Sequence, residues 1–432
     1  MQDADRRKST RRTTRGDAPA FRYSDALSDL LDASRPQSVQ TQYRNVLVLS
    51  GCQATLQTTG ITMIAVTGLA GASIAANPAY ATVPLTCYVL GSAFTTIPAS
   101  LLMKGIGRRS GFQVGTALGI AGAALCSVAV YLTSFWLLCA AMAVMGMYTA
   151  FGKYYRFAAA DVASARFRAK AISLTLAGGI VGGIFGPEMA KRTKDVFADH
   201  PYLGSYLSLA FVCLFAMLLL ARLDIPRLPE HQRLDSGRPL AQIMRQPVFV
   251  VAALASALAY GIMNLFMTST PLAMRAHDHH FDAAALVLEW HVIGMYAPSF
   301  FTGWLIHRIG VLNVIFAGIA LLFASIVAAL SGTQFPNFWT SLFLLGIGWN
   351  FMYVGGSALL TECYEPAERA KTQAANDFLV FVTMSISSAS SGLLMSKSGW
   401  HAVNYGSIPF LVLAAFATAW LMWQRKLAAT AA

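Results

Sequence analysis

The chain has 432 residues, of which 56% are hydrophobic and 12% charged, with a formal net charge of +12. A soluble domain of this size needs about 25% charged residues to cover its surface. That composition excludes an ordinary soluble enzyme or binding module and points to an all-α, polytopic membrane protein. The excess of positive charge raises nucleic acid as a partner, and its placement along the chain removes that reading, as shown below.

The first 43 residues are polar and basic (Arg6, Arg7, Lys8, Arg11, Arg12, Arg15) and contain no apolar stretch. A signal peptide would carry an apolar core directly after its charged start. This segment reads instead as a disordered cytoplasmic arm, or as a surface anchor in which the arginines meet anionic lipid. Twelve apolar runs follow, at 46–69, 83–103, 112–132, 135–155, 171–190, 202–220, 248–267, 283–305, 311–330, 338–360, 372–395 and 403–423. Each reaches the roughly 20 residues that cross a hydrocarbon core. With both termini inside, 27 of the 32 Lys and Arg fall on the inner side and 5 on the outer. That asymmetry is the positive-inside signature, so topology accounts for the charge. The expected location is a plasma membrane, the inner one of a bacterium, with cytoplasmic termini and no nucleic-acid partner. The six cysteines lie in or beside spans without paired spacing and read as small apolar residues, with no disulfide, metal or cofactor.

A polar, Pro- and Arg-containing segment at 223–247 separates spans six and seven and reads as a cytoplasmic linker. It divides the chain into bundles at 44–222 and 248–424, with a tail at 425–432. The halves echo one another. Ser100-Leu-Leu-Met-Lys104-Gly-Ile-Gly107-Arg108-Arg109 after span two is matched by Gly303-Trp-Leu-Ile-His307-Arg308-Ile-Gly310 after span eight. Phe135-Trp136 is matched by Phe338-Trp339. Asp161 precedes Arg168-Ala-Lys170 by seven residues, and Glu362 precedes Arg369-Ala-Lys371 by seven. The offsets are all 201 to 203 positions. Such repeats place a binding site near the bilayer midplane, between halves that rock about it.

Beyond the basic arm the sequence resembles the major facilitator superfamily. The loop 2–3 motif, Gly-x-x-x-Asp-Arg-x-Gly-Arg-Arg, is matched in part by Ser100 to Arg109, and Gly182-x-x-x-Gly186-Pro187 in span five is similar to the antiporter motif. The resemblance implies two pseudo-symmetric six-helix bundles around a cavity lined by spans one, four, seven and ten. It also implies gating charges at the inner helix ends: Asp161, Arg168, Glu362 and Arg369, with His307 and Arg308 in the second motif copy. The motif's acid is replaced by Lys104, so a sign-inverted latch of Lys104 with Asp377 is expected. The span-four Arg of proton-coupled drug exporters is Met142 here, which weakens an efflux reading.

Two ionisable residues within span eight, Glu289 and His291, are the candidates for a coupling proton, since intramembrane ionisable groups are costly and usually functional. Polar and aromatic side chains at helical spacing supply a candidate solute site: Gln53 and Gln57 on span one, Tyr148 on span four, Tyr260 and Asn264 on span seven, and Trp349, Asn350 and Tyr353 on span ten. They suit a neutral or weakly charged planar solute, such as a vitamin or heteroaromatic metabolite, held by stacking and amide hydrogen bonds; riboflavin uptake is one activity known in the superfamily. Lys153-Tyr-Tyr-Arg156 reads as an interfacial anchor from which Arg156 reaches an anionic solute. The expected function is secondary active transport by alternating access, as proton-coupled uptake by a monomer. Proton-antiport efflux is the competing reading, and a membrane-embedded enzyme or a receptor is remote.

Overall fold

The computed structural model describes residues 38–75, 80, 83–226 and 237–431, and these contain no β-strand. The basic arm up to residue 37, and the linker at 227–236, lie outside the described residues. The first half comprises α1 (Val39–Ile74), α2 (Val83–Ile106), α3 (Arg108–Tyr131), α4 (Phe135–Gly152), α5 (Tyr155–Val162), α6 (Arg168–Ala177), α7 (Gly179–Thr193) and α8 (Leu203–Leu220). A short α9 (Leu240–Met244) leads into α10 (Pro247–Ala276), α11 (Phe281–Tyr296), α12 (Ser299–Ile309), α13 (Val311–Leu330), α14 (Phe335–Leu360) and α15 (Arg369–Ala431), which bends at Gly399. Helices are what lipid demands, because a spanning segment must satisfy every backbone polar group internally. Nine helical stretches among the described residues are long and apolar enough to cross a membrane. The more polar α1, the interrupted pair α11–α12 and the first part of α15 fill the alternation, consistent with twelve spans.

Local chemistry sets the boundaries. Ser38 caps α1 by accepting from the Thr41 amide at 3.1 Å, and Gln334 and Asn337 form a reciprocal capping box at the start of α14. Gly107 and Gly310, the equivalent glycines of the two motif copies, have φ of 92° and 90°. That region is costly for any residue with a Cβ, and here it allows the chain to reverse at once into α3 and α13.

Each packing pair in the first half has its counterpart in the second. α2–α4, α3–α4, α1–α7 and α3–α8 correspond to α11–α14, α13–α14, α10–α15 and α13–α15. Equivalent glycines bring the helices together. A Cβ at Gly146 would overlap the Tyr88 carbonyl, and one at Gly346, 200 positions on, would lie 2.6 Å from the His291 carbonyl. Small residues at such crossings let helix backbones approach closely. Two glutamines also correspond. Gln42 at the start of α1 accepts from the Ser164 amide at 3.1 Å, and Gln246 before α10 donates to the Cys363 carbonyl at 3.1 Å. The halves meet where α6 and α7 pack on α12 and α11, and where α2 packs on α15.

The segment leading into α9 is clasped to the start of α15. Arg238 makes a forked pair with Glu368, at 2.7 Å to Oε1 and 2.6 Å to Oε2, and its own amide donates to Oε1 at 2.8 Å. Gly237, at φ +57°, rests against the Glu368 side chain. The fork holds the Glu368 carboxyl down from 4.5 to about 2. A carboxylate depressed in the folded state contributes stability that is complete above its unfolded value and is lost as pH falls through the folded one. Glu368→Gln is therefore expected to lower the melting temperature of the purified protein at pH 7. The difference from wild type should shrink as pH falls below about 4.5; a difference unchanged between pH 7 and pH 3 would remove the clasp from the account.

Candidate functional site

Span four runs from Phe135 to Val162 but is interrupted by one tightened, still right-handed turn. α4 stops at Gly152, Lys153 and Tyr154 form a turn, and α5 resumes at Tyr155. The Lys153 carbonyl freed by this break accepts from Arg156 Nη1 at 2.8 Å. With α5 continuing to Val162, Lys153 lies nine residues, or about 14 Å of helix, from its end. This corrects the expectation of an interfacial anchor: Arg156 is 1% exposed. Broken helices are tolerated at membrane depth where protein or a cavity surrounds them, and here the interruption places two cations, Lys153 and Arg156, among the packed helices.

Facing the break is a cluster of aromatic rings. Tyr260 on α10 meets Trp349 and Tyr353 on α14 edge-on, with centroids 5.2 and 4.7 Å away. Trp349 and Tyr353 stack on each other at 5.0 Å and 24°. Tyr296 at the end of α11 closes the far side, 5.7 Å from Trp349, and its hydroxyl accepts from Gln57 on α1. Lys153 Nζ donates to the Tyr260 hydroxyl at 3.1 Å. The cluster thus draws on spans one, four, seven, eight and ten.

Beside it, Arg156 ties the halves together. Its Nη2 lies 2.5 Å from Asp377 Oδ1 on α15, and its Nε donates to Ser357 Oγ at 3.1 Å. Arg156 and Ser357 are equivalent positions of the repeat, 201 apart, so their contact marks the pseudo-twofold axis. The guanidinium also covers the Tyr353 ring at 4.6 Å. Further toward the loops, Asp161 forms ion pairs with Arg108 at 3.1 Å within its own half and with Arg369 at 3.2 Å across the seam. Arg108 Nη2 reaches Gln373 at 2.5 Å, and Ser100 Oγ donates to the Ala370 carbonyl at 2.7 Å. The loops bearing Asp161 and Arg369 therefore share one face. Ser173 on α6 donates to the Ser299 carbonyl on α12 and accepts from the Gly303 amide at 3.0 Å.

Several expected residues stand elsewhere. The ion pair of Asp377 is with Arg156, not the Lys104 of the expected latch. Glu362 pairs with Arg425 at the end of its own bundle, at 2.7 Å, while Arg168 lines a cavity of about 140 Å³ with Asp161, Tyr364 and Arg369. His307 and Arg308 are exposed, Arg308 lying over the Trp304 ring at 5.2 Å. Tyr148 faces Gly119 of α3 and Cys213 of α8, inside the first bundle. Asn350 bonds to the Met295 carbonyl, Ser299 and Thr302 at 2.5–2.7 Å, joining α14 to α11 and α12. Asn264 reaches the Met384 carbonyl at 3.3 Å, and Gln53 is buried. His291 is buried in the α11–α14 seam with Nδ1 on the Leu342 carbonyl at 2.7 Å. Glu289 is exposed, one turn beyond Val292, which meets Gly183 of the other half. Arg108, Lys153 and Tyr296 are the contributors that the sequence reading left out of the site; Arg156, expected to reach a solute from the interface, pairs instead with Asp377.

The Major Facilitator Superfamily model matches residues 47–297 and 253–430. The chain belongs to the major facilitator superfamily. It is 38% identical over 372 residues to a riboflavin transporter of Brucella anthropi, covering 86% of this chain and 94% of that protein. An uncharacterized MFS-type transporter of Bacillus subtilis is 30% identical over 399 residues, covering 88% and 93%. Among solved structures, the superfamily transporter FucP in the outward conformation aligns with a TM-score of 0.70 at 16% identity, over 87% of this chain and 98% of its own. The proton:xylose symporter XylE aligns at 0.73 and 14%, over 89% and 96%. These superpositions establish the fold. The chain is thus a multi-pass membrane transporter of a small solute and not an enzyme.

Removing one partner of a buried ion pair leaves an uncompensated charge, at a cost of about 3–5 kcal/mol. Arg156→Met and Asp377→Leu are each expected to lower the melting temperature of the purified protein sharply, and the double variant should recover much of the loss. Additive losses in the double variant would show that the two side chains are energetically independent.

Proposed function

We propose that this transporter imports a planar heteroaromatic, vitamin-like solute by alternating access, with the ring held between Tyr260, Trp349 and Tyr353. The observation that carries the reading is this three-ring cluster at the break in span four. The rings pack on one another and under Arg156 and Lys153, so their faces become available to a flat ring as the lining parts. The 38% identity to a riboflavin transporter supports the same class of cargo. Gln57 and Tyr296 form the rim, and Gln53 and Asn264 flank the path along α1 and α10. Tyr148 and Asn350 support the bundles from behind.

The cross-seam contacts Asp161–Arg369, Arg108–Gln373 and Ser100–Ala370 gather at the loop-bearing end, with Arg156–Asp377 deeper, so the conformation is read as closed on that side. Arg168, Glu362, Lys104, His307 and Arg308 surround the same end and are assigned to reshaping of the gate as the halves rock. By the positive-inside bias this side is cytoplasmic, which makes the closed state outward-facing in a bacterial inner membrane. Coupling to protons is assigned to Glu289. It is exposed on the α11 face turned to the first half, where an outward-facing cleft would reach it. His291 is assigned to holding α11 on α14. The protein is taken to act as a monomer.

Counterflow of labelled riboflavin into preloaded proteoliposomes tests the cargo directly. Exchange is expected with wild type, and Trp349→Ala should weaken apparent affinity at least about tenfold, as losing one ring stack costs about 1–3 kcal/mol. Absence of exchange for riboflavin and for other planar vitamins would sink the reading. For coupling, Glu289→Gln should retain counterflow but lose uptake driven by a proton gradient; gradient-driven uptake intact in that variant would clear Glu289 of the role.

A further inference from the structure

Around the break in span four, three polar groups are left with hydrogen-bonding capacity that no described residue uses. Lys153 is the first. It is half-buried, its Nζ has one hydroxyl partner, Tyr260 at 3.1 Å, and its ammonium lies 5.0 Å above that ring's centroid. Among the described residues no carboxylate comes within 4 Å of it. The second is Asp377, 3% exposed. Its Oδ1 is taken by Arg156 at 2.5 Å and by Asn376 Nδ2 at 2.9 Å, while Oδ2 has no donor. The third is Trp349, wholly buried, whose indole Nε1–H has no acceptor among the described residues. Lys153 and Asp377 line one small cavity with Tyr260 and Tyr353, and Trp349 packs against both of those tyrosines.

Orphaned polar groups are rare in proteins and each costs free energy, about 1–3 kcal/mol when neutral and more when charged. Ionisable residues in a membrane interior are usually functional, and two of them, Lys153 and Asp377, line one cavity here. The three form a set: a cationic donor, an anionic acceptor and a neutral donor, next to a stack of rings. Their complement is a flat edge that presents acceptor, donor, acceptor.

We propose that the solute is read through a heterocyclic imide edge, –C(=O)–NH–C(=O)–, with one carbonyl on Lys153, the N–H on Asp377 Oδ2 and the other carbonyl on Trp349 Nε1. This deepens the proposed function and rests on the reading of the ring cluster as the solute site. An imide fused to an aromatic ring fits both demands, since the ring stacks while its edge satisfies the three groups. The cavity beneath the rings is only about 10 Å³, about the space of a single water. The edge therefore enters as the lining parts and not into a preformed slot. Arg156 takes Asp377 Oδ1 at 2.5 Å and so aims Oδ2 without touching the solute, acting as a positioning residue.

The test is binding by the purified full-length protein, read as ligand-induced thermal stabilisation and converted to affinity. Riboflavin and uracil carry the imide; 3-methylriboflavin and 3-methyluracil have its N–H blocked; nicotinamide and pyridoxine are planar and lack it. At least one imide is expected to bind, and its methylated form at least about tenfold more weakly. Lys153→Met should weaken the parent about tenfold and Lys153→Arg much less, the scale of one charge-assisted hydrogen bond. The ligand series keeps the test valid if a variant fails to fold. Equal binding of a parent and its methylated form, or of the imides and nicotinamide or pyridoxine, overturns the imide assignment while leaving a planar cargo standing. Binding of none of the six overturns the planar-solute reading, and this inference with it.

Discussion

A guanidinium buried between two halves of a membrane protein is tolerated only while something holds it. Arg156 is 1% exposed, and what holds it comes from both halves: the Lys153 carbonyl from its own, and Asp377 and Ser357 from the other. In a low-dielectric interior the pair is worth keeping only with this full set of hydrogen bonds, because desolvation of two ions otherwise exceeds their attraction. The seam between the halves is thus made of interactions that are strong when closed and expensive when half-broken. Such an interface favours two discrete arrangements over a continuum, which is what rocking about a central pocket requires.

The repeat is near-symmetric in its scaffold and asymmetric in its charges. Helix pairs, the positive-φ glycines and the first-helix glutamines all recur in the second half. The loop acids do not behave alike: Asp161 reaches across to Arg369, while its equivalent Glu362 turns outward to Arg425. At the axis, Arg156 meets its own equivalent, Ser357, and this unequal pair leaves room for Asp377 to supply the balancing charge. Packing needs only small residues at the right spacing, so both copies can keep it. An ion pair across an axis needs opposite signs on equivalent positions, and the copies must diverge to make one.

The same distinction explains what the sequence disclosed. Hydropathy and the 201–203 offset made the spans, the halves and the shared face of the Asp161 and Arg369 loops legible, because each is a property of long stretches. The helical phase of Tyr260, Trp349 and Tyr353 was readable for the same reason: α10 and α14 run unbroken past them. Tyr148 and Asn350 were not readable, since a polar or aromatic residue one step round the helix faces a neighbouring span instead of the centre, and periodicity alone cannot choose between two buried faces. Arg156 was placed at the membrane edge because a charge ends an apolar run. The run in fact resumes with Phe157-Ala-Ala-Ala, and the partner that makes the charge affordable lies 221 positions away. Long-range compensation of this kind leaves no local trace.

The break in span four joins the two halves of the mechanism. Lys153, whose ammonium faces the ring cluster, and Arg156, whose guanidinium holds the seam, are three residues apart and share a hydrogen bond through the Lys153 carbonyl. An unbroken helix would commit that carbonyl to an amide one turn on, and the guanidinium would need another partner. With the turn at Lys153-Tyr154, the Lys153 carbonyl is an acceptor that the paired Arg156 guanidinium shares. Asp377 closes the loop, with one oxygen on the seam and the other directed to no protein donor. A single carboxylate therefore has one oxygen on the seam and the other beside the ring cluster, so under the proposed reading the filling of the site would act on the closure without a longer relay.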